Sequence, residues 1–142
     1  MTHYIPEDLD PKIGDLMQNN KLTGPSFVGQ GCSKFVGSDC YGLYIVRLEK
    51  TKTGKPLVGL VHADSKFETS WEDGHMTCAL PHGETDPKKC EPDFWITTYG
   101  TWKTSKRPKW YKCDSTGKRF PGRWNAVSFG WNGAFEYQDP SF

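Results

Sequence analysis

A chain of 142 residues is the usual size of one domain and is long enough to bury a hydrophobic core. Its net charge is only +1, and no stretch approaches the roughly 20 apolar residues that cross a bilayer, which argues against a membrane-spanning helix. Aromatic residues make up 14% of the chain, beside 15 Gly and 10 Pro, and this combination favours a β-rich domain whose large rings pack between many turns. We therefore predict one soluble domain over residues 1–142.

The N-terminus and the cysteines bear on where the protein works. Residues 1–10 are acidic and lack the basic and apolar regions of a signal peptide. The five cysteines are odd in number and scattered, which is typical of reduced thiols in the cytoplasm. We therefore expect a cytoplasmic protein, or a secreted one if a signal peptide has been omitted, in which case Cys32 and Cys40 are candidates for a disulfide bond.

Residues 1–30 form an N-terminal segment with one predicted helix. Asp10 is placed to cap this helix, and Pro11 has the fixed φ that suits the first helical position. The sequence therefore predicts one brief amphipathic helix before the turn at residues 23–25. The apolar side chains that recur at helical spacing are Leu9, Ile13, Leu16 and Met17.

After that turn the pattern changes to short extended runs. Turn sequences that contain Gly, such as Thr53-Gly54 and Asn132-Gly133, separate these runs and supply the positive φ of tight hairpins. No long helical pattern lies between the runs, so the sheet should be antiparallel. The predicted fold class is all-β, mainly antiparallel, with one short N-terminal helix. The predicted strands are residues 43–48, 57–61, 76–80, 94–99, 110–113, 126–129 and 134–137.

Two parts of the chain, residues 36–84 and 99–136, can be aligned over each other as an internal repeat. They share a strand that contains Tyr, a turn glycine, an extended run, and a final strand that ends at a Gly turn before Glu. Each unit would form an antiparallel β-meander that cannot bury its own apolar face. The repeat therefore predicts two β-meanders packed together within one domain.

Short motifs within these units also resemble those of a known family. The matching residues are Asp39, Leu43-Tyr44-Ile45-Val46-Arg47 and Leu80-Pro81-His82-Gly83-Glu84 in the first unit, and Phe120-Pro121-Gly122-Arg123 in the second. This pattern resembles the DM9 repeat, found in tandem in some invertebrate lectins and at the front of natterin-like proteins. The resemblance implies an all-β fold and a mannose-type sugar held by Asp39 and by Arg123. Leu60 stands where the first unit of the family has a lysine.

The last third of the chain carries the groups that a sugar site needs. Flat rings stack on the apolar face of a pyranose, and fixed amide, carboxylate or guanidinium groups bind its hydroxyls. We therefore predict a carbohydrate-binding, lectin-like module that recognises a neutral, mannose-type glycan at turns near the final hairpin. The alternative for any one tryptophan is a place in the core. The predicted site residues are Asp39, Arg123, Trp124, Asn125, Trp131, Asn132 and Glu136.

A second binding hypothesis rests on the uneven distribution of charge. Acidic residues outnumber basic ones in residues 1–87, whereas basic residues outnumber acidic ones in residues 88–123. That basic segment also contains Trp95, Trp102 and Trp110, and single-stranded nucleic acid is bound by cations that pair with phosphates and by rings that stack on bases. The segment is therefore either a nucleic-acid-binding surface or an ordinary solvated face. The basic residues concerned include Lys103, Lys106, Arg107 and Lys109.

Enzymatic and metal chemistry have less support in the sequence. The Gly-rich motifs of nucleotide-binding proteins and hydrolases do not occur, so we predict a binding protein without a cofactor rather than an enzyme. A glycan-hydrolysing enzyme would need two carboxylates among Asp73, Glu84 and Glu136 about 5 to 9 Å apart. A zinc site is also disfavoured, because no two cysteines have the C-x2-C spacing. The densest set of metal-ligand residue types is His75, Cys78, His82 and Cys90.

Overall fold

The computed structural model describes residues 8–36, 38–67, 75–98, 109–121 and 126–137. Over these residues the protein is mainly antiparallel β-sheet with one short α-helix, as the sequence predicts. The helix α1 spans Pro11–Gln18. The strands are β1 (Gly31–Val36), β2 (Asp39–Lys50), β3 (Pro56–His62), β4 (Asp64–Phe67), β5 (His75–Ala79), β6 (Phe94–Thr98), β7 (Trp110–Cys113), β8 (Ala126–Gly130) and β9 (Glu136–Tyr137).

The helix α1 begins where the sequence places its cap. The Asp10 carboxylate accepts a hydrogen bond from the Lys12 backbone N–H at 2.9 Å, and Pro11 is the first helical residue. Leu16 is exposed, so the apolar side of the helix is narrow. The residues at helical spacing that pack against the core are Leu9, Ile13 and Met17.

Six strands pair edge to edge until the sheet closes on itself. β2 pairs with β3, β3 with β6, β6 with β7, β7 with β8 and β8 with β1, and β1 returns to β2. All of these pairings are antiparallel. Closure gives each of the six strands a paired neighbour on both sides over part of its length, which satisfies the backbone N–H and C=O groups of the paired residues.

The interior of the closed sheet is filled by alternate residues of its strands. Leu43 and Ile45 of β2 and Leu60 of β3 have no exposure to solvent. Leu22 and Phe27 come from the segment before β1 and close the core at one end. The inner core consists of Leu22, Phe27, Cys32, Leu43, Ile45, Val58, Leu60, Ile96, Trp110 and Trp131.

A second, smaller core lies outside the closed sheet, against the outer face of β2 and β3. β2 also pairs with β9, β9 pairs with β5, and β5 pairs with β4, which extends the sheet beyond the ring. The contact between β2 and β5 requires Gly42, because a Cβ there would lie 2.6 Å from the Cys78 Sγ. The outer core consists of Tyr44, Val46, Val61, Cys78, Leu80, Cys90 and Ala134.

All seven predicted strands overlap strands of the structure, although their ends differ. β1 and β4 are not among the predicted strands. β1 contains Ser33 and Lys34 side by side, and β4 begins at Asp64, so neither shows the apolar run or alternation that marks a strand locally. The strands of both predicted repeats belong to one sheet, since the first repeat contains β2 to β5 and the second contains β7 to β9.

The five cysteines are free thiols. Cys40 is half-buried and the other four are buried, and burial raises the pKa of each thiol. These thiols therefore stay protonated near neutral pH and are weak nucleophiles. Within the described ranges, no helix is long and apolar enough to cross a membrane.

Candidate binding sites at the two ends of the closed sheet

The closed sheet has two ends that differ in what lies over them. At one end β1 begins and β8 stops, and α1 and residues 19–30 lie against the core; we call this the helix end. At the other end β1 and β2 meet in a hairpin in which Val36 pairs with Asp39; we call this the hairpin end. Each end carries a candidate site.

A cavity of about 320 Å³ lies at the helix end. It is bounded by the last turn of α1, by residues 29–31 and by residues 131–133. Its lining consists of apolar side chains, glycines and amides, and none of the described residues that line it is charged. The lining residues are Met17, Gln18, Asn20, Leu22, Phe27, Gly29, Gln30, Gly31, Tyr44, Trp131, Asn132 and Gly133.

Trp131 joins this cavity to the inner core. The residue is only 6% exposed, and its ring centroid lies 5.2 Å from that of Trp110 and 5.4 Å from that of Phe129. It follows β8 and shares the inward side of that strand with Phe129. Trp131 therefore stabilises the core and also provides part of the cavity wall.

Two amide side chains hold the N-terminal segment against the helix end. The Asn132 Oδ1 accepts from the Leu22 N–H at 2.8 Å, and the Asn132 Nδ2 donates to the Leu22 carbonyl at 2.9 Å. Gln30 is almost fully buried; its Oε1 accepts from the Ser26 N–H at 2.6 Å, and its Nε2 donates to the Trp131 carbonyl at 2.9 Å. These bonds satisfy buried polar groups and keep the cavity walls in place.

Tyr44 is a lining residue of the cavity, and its side chain packs in the outer core. The residue is 5% exposed, and its hydroxyl makes no hydrogen bond to any group in the described part of the chain. Burial, with smaller contributions from Cys78 and Cys32, raises the pKa of Tyr44 to about 12. The hydroxyl therefore remains protonated at neutral pH and is able to donate a hydrogen bond to a ligand.

Gly31 allows the chain segments around the cavity to approach each other. A Cβ at this position would lie 2.6 Å from the Ala134 backbone N, which is closer than real contacts allow. The Gly133 N–H donates to the Gly31 carbonyl at 3.1 Å, so the close approach is also hydrogen-bonded. The wall near Tyr44 therefore depends on a residue without a side chain.

The structure separates the predicted sugar-site residues. Trp131 and Asn132 line the cavity at the helix end, whereas Asp39 lies in the β-hairpin at the hairpin end. The Glu136 Oε1 accepts the Gly42 N–H at 2.7 Å, so this carboxylate supports the junction of β2 and β9. The predicted residues Arg123, Trp124 and Asn125 lie outside the described residues.

The hairpin end carries a cluster of cationic and aromatic side chains, which we call the cationic mouth: Lys34, Tyr41, His62, Phe94 and Lys112. The Lys34 Nζ lies 5.7 Å from the centroid of the Phe94 ring and 5.6 Å from that of Tyr41. The Lys112 Nζ lies 4.9 Å from the Phe94 centroid. The His62 ring lies 5.4 Å from the Phe94 ring, so Phe94 is the centre of the cluster.

Sequence reasoning missed the cationic mouth because its residues come from five strands. Tyr44 at the other end was identified only as part of a motif. The one local signal is the alternation that puts Lys34 on the side of β1 that holds the buried Cys32. Of the basic residues proposed for nucleic acid, Lys109 is exposed, and Lys103, Lys106 and Arg107 lie outside the described ranges.

The residues considered for metal binding lie in or near the outer core. Cys78 and Cys90 are buried there, and His82 is on a 3₁₀ turn at Pro81–Gly83. The side chain of His75 is not among those that the structure describes. Among the side chains that are described, no group of three or more His, Cys, Asp or Glu residues is arranged to hold a metal ion.

Comparisons with known proteins add no assignment to either end of the sheet. No family model, no curated protein and no solved structure matches this chain. The case for a function therefore rests on the two sites themselves.

Proposed function

We propose that the protein is a carbohydrate-binding module that takes one residue of a neutral glycan into the cavity at the helix end. The observation that carries this proposal is the composition of the cavity lining. Trp131 and Tyr44 supply aromatic surface, Asn132 and Asn20 supply amides, and no described lining residue is charged. An uncharged lining of this kind suits a ligand that is itself neutral, since it offers a charged group no ionic partner.

The chemistry of a pyranose fits this combination of groups. One face of the ring is lined by C–H groups and packs on aromatic side chains, while the hydroxyls at its edge need donors and acceptors. We assign the Tyr44 hydroxyl as a donor to the glycan, and the Asn132 amide has one further N–H and one further lone pair beyond its bonds to Leu22. The cavity volume of about 320 Å³ lies within the range of roughly 300 to 1,000 Å³ found for small-ligand sites.

The mannose-type specificity suggested by the DM9 resemblance concerns a different location. In that family the sugar-binding positions correspond to Asp39 and Arg123, and Asp39 lies at the hairpin end. The cavity therefore supports binding of a neutral sugar through Trp131 and Asn132, without the remaining residues of the family pattern. A mannoside is accordingly the first probe of a neutral panel rather than the expected sole ligand.

The test compares two tyrosine variants at opposite ends of the sheet. We expect methyl mannoside or another neutral glycoside to bind near the millimolar range, at about −4 kcal/mol, in ligand-observed NMR. Tyr44→Phe removes only the hydroxyl and should weaken binding by about 0.5 to 1.5 kcal/mol, or roughly two- to tenfold. The matched control Tyr41→Phe removes a hydroxyl at the hairpin end and should leave affinity unchanged.

Salt provides the second measurement. A neutral sugar releases no counterions, so affinity should stay constant between low and moderate salt. The proposal fails if a broad panel of neutral glycans gives no saturable signal with the folded protein. It also fails if the two tyrosine variants weaken binding equally, because the cavity would then not be the site.

A further inference from the structure

The cationic mouth is built by alternation along five neighbouring strands of the closed sheet. Lys34 faces Tyr41 across the β1–β2 pair, and Leu43, two residues after Tyr41, faces His62 across the β2–β3 pair. Phe94 and Lys112 share the inward sides of β6 and β7 with Ile96 and Trp110, which belong to the inner core. The five side chains therefore converge above the core at the hairpin end.

Two ammonium groups meet at one aromatic ring in this cluster. The Nζ atoms of Lys34 and Lys112 lie 5.7 and 4.9 Å from the centroid of Phe94. The electron-rich face of a phenyl ring attracts a cation within about 6 Å, so Phe94 attracts both amines. Lys112 is also near enough to Lys34 to repel its charge. A pair of like charges held in this way is favourable only when something offsets that repulsion.

The protein supplies little of that compensation. Neither amine forms an ion pair with any carboxylate among the described residues. Asp93, the carboxylate nearest to His62, accepts from the His62 N–H at 2.8 Å and lies 3.3 Å from its Nδ1. Glu136 attracts Lys34 without forming an ion pair with it, and its Oε1 accepts the Gly42 N–H. The two lysines therefore have unused hydrogen-bonding capacity toward an anion.

We propose that Lys34 and Lys112 form a binding site for a phosphate group at the hairpin end of the sheet. A phosphate oxygen accepts charge-assisted hydrogen bonds from both amines and neutralises the two charges together. The site is separate from the glycan cavity, which lies at the helix end. A test of phosphate binding therefore does not depend on whether the protein binds a glycan. It also differs from the predicted cluster at Lys103 to Lys109, because Lys34 lies outside the basic segment.

Neighbouring residues favour a nucleic-acid strand as the source of the phosphate. β7 carries Lys112 on its inward side and Tyr111 on its outward side, and the Arg119 guanidinium lies 4.7 Å from the centroid of the Tyr111 ring. Arg119 and Tyr111 therefore form a second pair of a cation and an aromatic ring, on the other face of β7 from Lys112. Single-stranded nucleic acid combines phosphates with flat bases, whereas inorganic phosphate makes use of the two amines alone.

The lowered affinity of Lys34 for its proton agrees with this assignment. Burial, followed by repulsion from Lys112, lowers the pKa of Lys34, and attraction to Glu136 opposes this only in part. The negative charge of a bound anion favours the ammonium form of Lys34 and offsets the repulsion from Lys112. The NMR titration of the Lys34 side chain should therefore move to higher pH when phosphate is added to the wild-type protein.

The experiment uses three ligands and three variants. The three ligands are inorganic phosphate, thymidine monophosphate and a short single-stranded oligothymidylate, and each is titrated into the wild-type protein and into each variant. The variants are Lys34→Gln, Lys112→Gln and the control Lys50→Gln, which removes an exposed lysine near the end of β2. Each mouth variant should weaken binding by about tenfold through the loss of one charge-assisted hydrogen bond, and the control by less than twofold. Circular dichroism verifies that the variants are folded.

The comparison among ligands identifies the source. A nucleic-acid strand is supported if oligothymidylate binds at least tenfold more tightly than the monophosphate. The number of counterions released on binding, measured from the salt dependence of the affinity, should then fall by about one for each lysine removed. Equal affinity for all three ligands supports a free phosphate group. The proposal is overturned if no ligand perturbs the Lys34 and Lys112 side-chain resonances of the wild-type protein, or if Lys50→Gln weakens binding as much as the mouth variants do.

Discussion

The two ends of one closed sheet differ in charge. At the helix end, burial raises the pKa of Tyr44 to about 12, and the described cavity lining contains no charge. At the hairpin end, burial lowers the pKa of Lys34, yet two lysines gather around Phe94. In both places the surroundings disfavour a charged group, but only the hairpin end places charged groups there. One closed sheet therefore has an uncharged cavity lining at one end and two lysines around an aromatic ring at the other.

The covering of each end accounts for this contrast. The N-terminal segment crosses the helix end and is fastened there by the two hydrogen bonds between Asn132 and Leu22. Polar groups at that end are therefore mostly satisfied by the protein, and the cavity is shaped by amides and rings. At the hairpin end the side chains of Lys34 and Lys112 are only half-buried, so water keeps access to their amines. This partial hydration reduces the repulsion between the two ammonium groups.

The largest expected effect comes from removing the ring that joins the cavity to the core. Trp131→Ala should destabilise the protein by about 3 to 5 kcal/mol, as expected for an aromatic side chain packed in a core. Its contacts with Trp110 and Phe129 are lost together. Urea unfolding followed by circular dichroism measures the change. Phe135→Ala is the control, because Phe135 is 52% exposed and its loss should alter stability by less than about 0.5 kcal/mol. Equal losses would contradict the placement of Trp131.

A smaller effect should follow when the N-terminal segment is released. Asn132→Ala removes both hydrogen bonds to Leu22 and should cost about 1 to 3 kcal/mol, the net value of two such bonds. Amide hydrogen exchange should accelerate at Leu22, while exchange in the β1–β2 hairpin at Tyr41 stays close to that of wild type. Asn20→Gly is the control, since Asn20 has a φ of 55° that glycine readily adopts. Equal acceleration at both ends would show that the two ends are not independent.

The smallest effect concerns Lys34 and depends on pH. Because the pKa of Lys34 is lowered in the folded protein, its charged form is disfavoured, and the wild-type protein gains stability as pH rises from that lowered pKa to the usual value of 10.5. Lys34→Met lacks this titration. The free energy of unfolding of the wild-type protein should therefore rise relative to that of Lys34→Met between pH 7 and pH 10. The change should be less than about 1 kcal/mol, because solvent screens the half-buried amine. Urea unfolding of both proteins at several pH values measures it, and a difference that does not vary with pH would contradict the burial of the amine.

Local sequence patterns were sufficient for most of the secondary structure. The Asp10 cap with Pro11 predicts α1 at its observed start, because capping depends on residues close together in the chain. The seven predicted strands were recognised for the same reason, since extended apolar runs and Gly turns are local features. β1 was not predicted, because Ser33 and Lys34 become strand residues only through pairing with both β2 and β8.

Composition and local motifs alone determined that this is a mainly antiparallel β protein with a short N-terminal helix. Only the tertiary structure decided three features: the closure of the sheet, the burial of Trp131, and the position of Lys34 and Lys112 at the Phe94 ring. The physical reason is that strand register sets which residues face inward at the same level, and register between distant strands depends on the packing of the whole core. Tyr44 lines a cavity with Asn132 for the same reason, although each is read from the sequence as part of a separate motif.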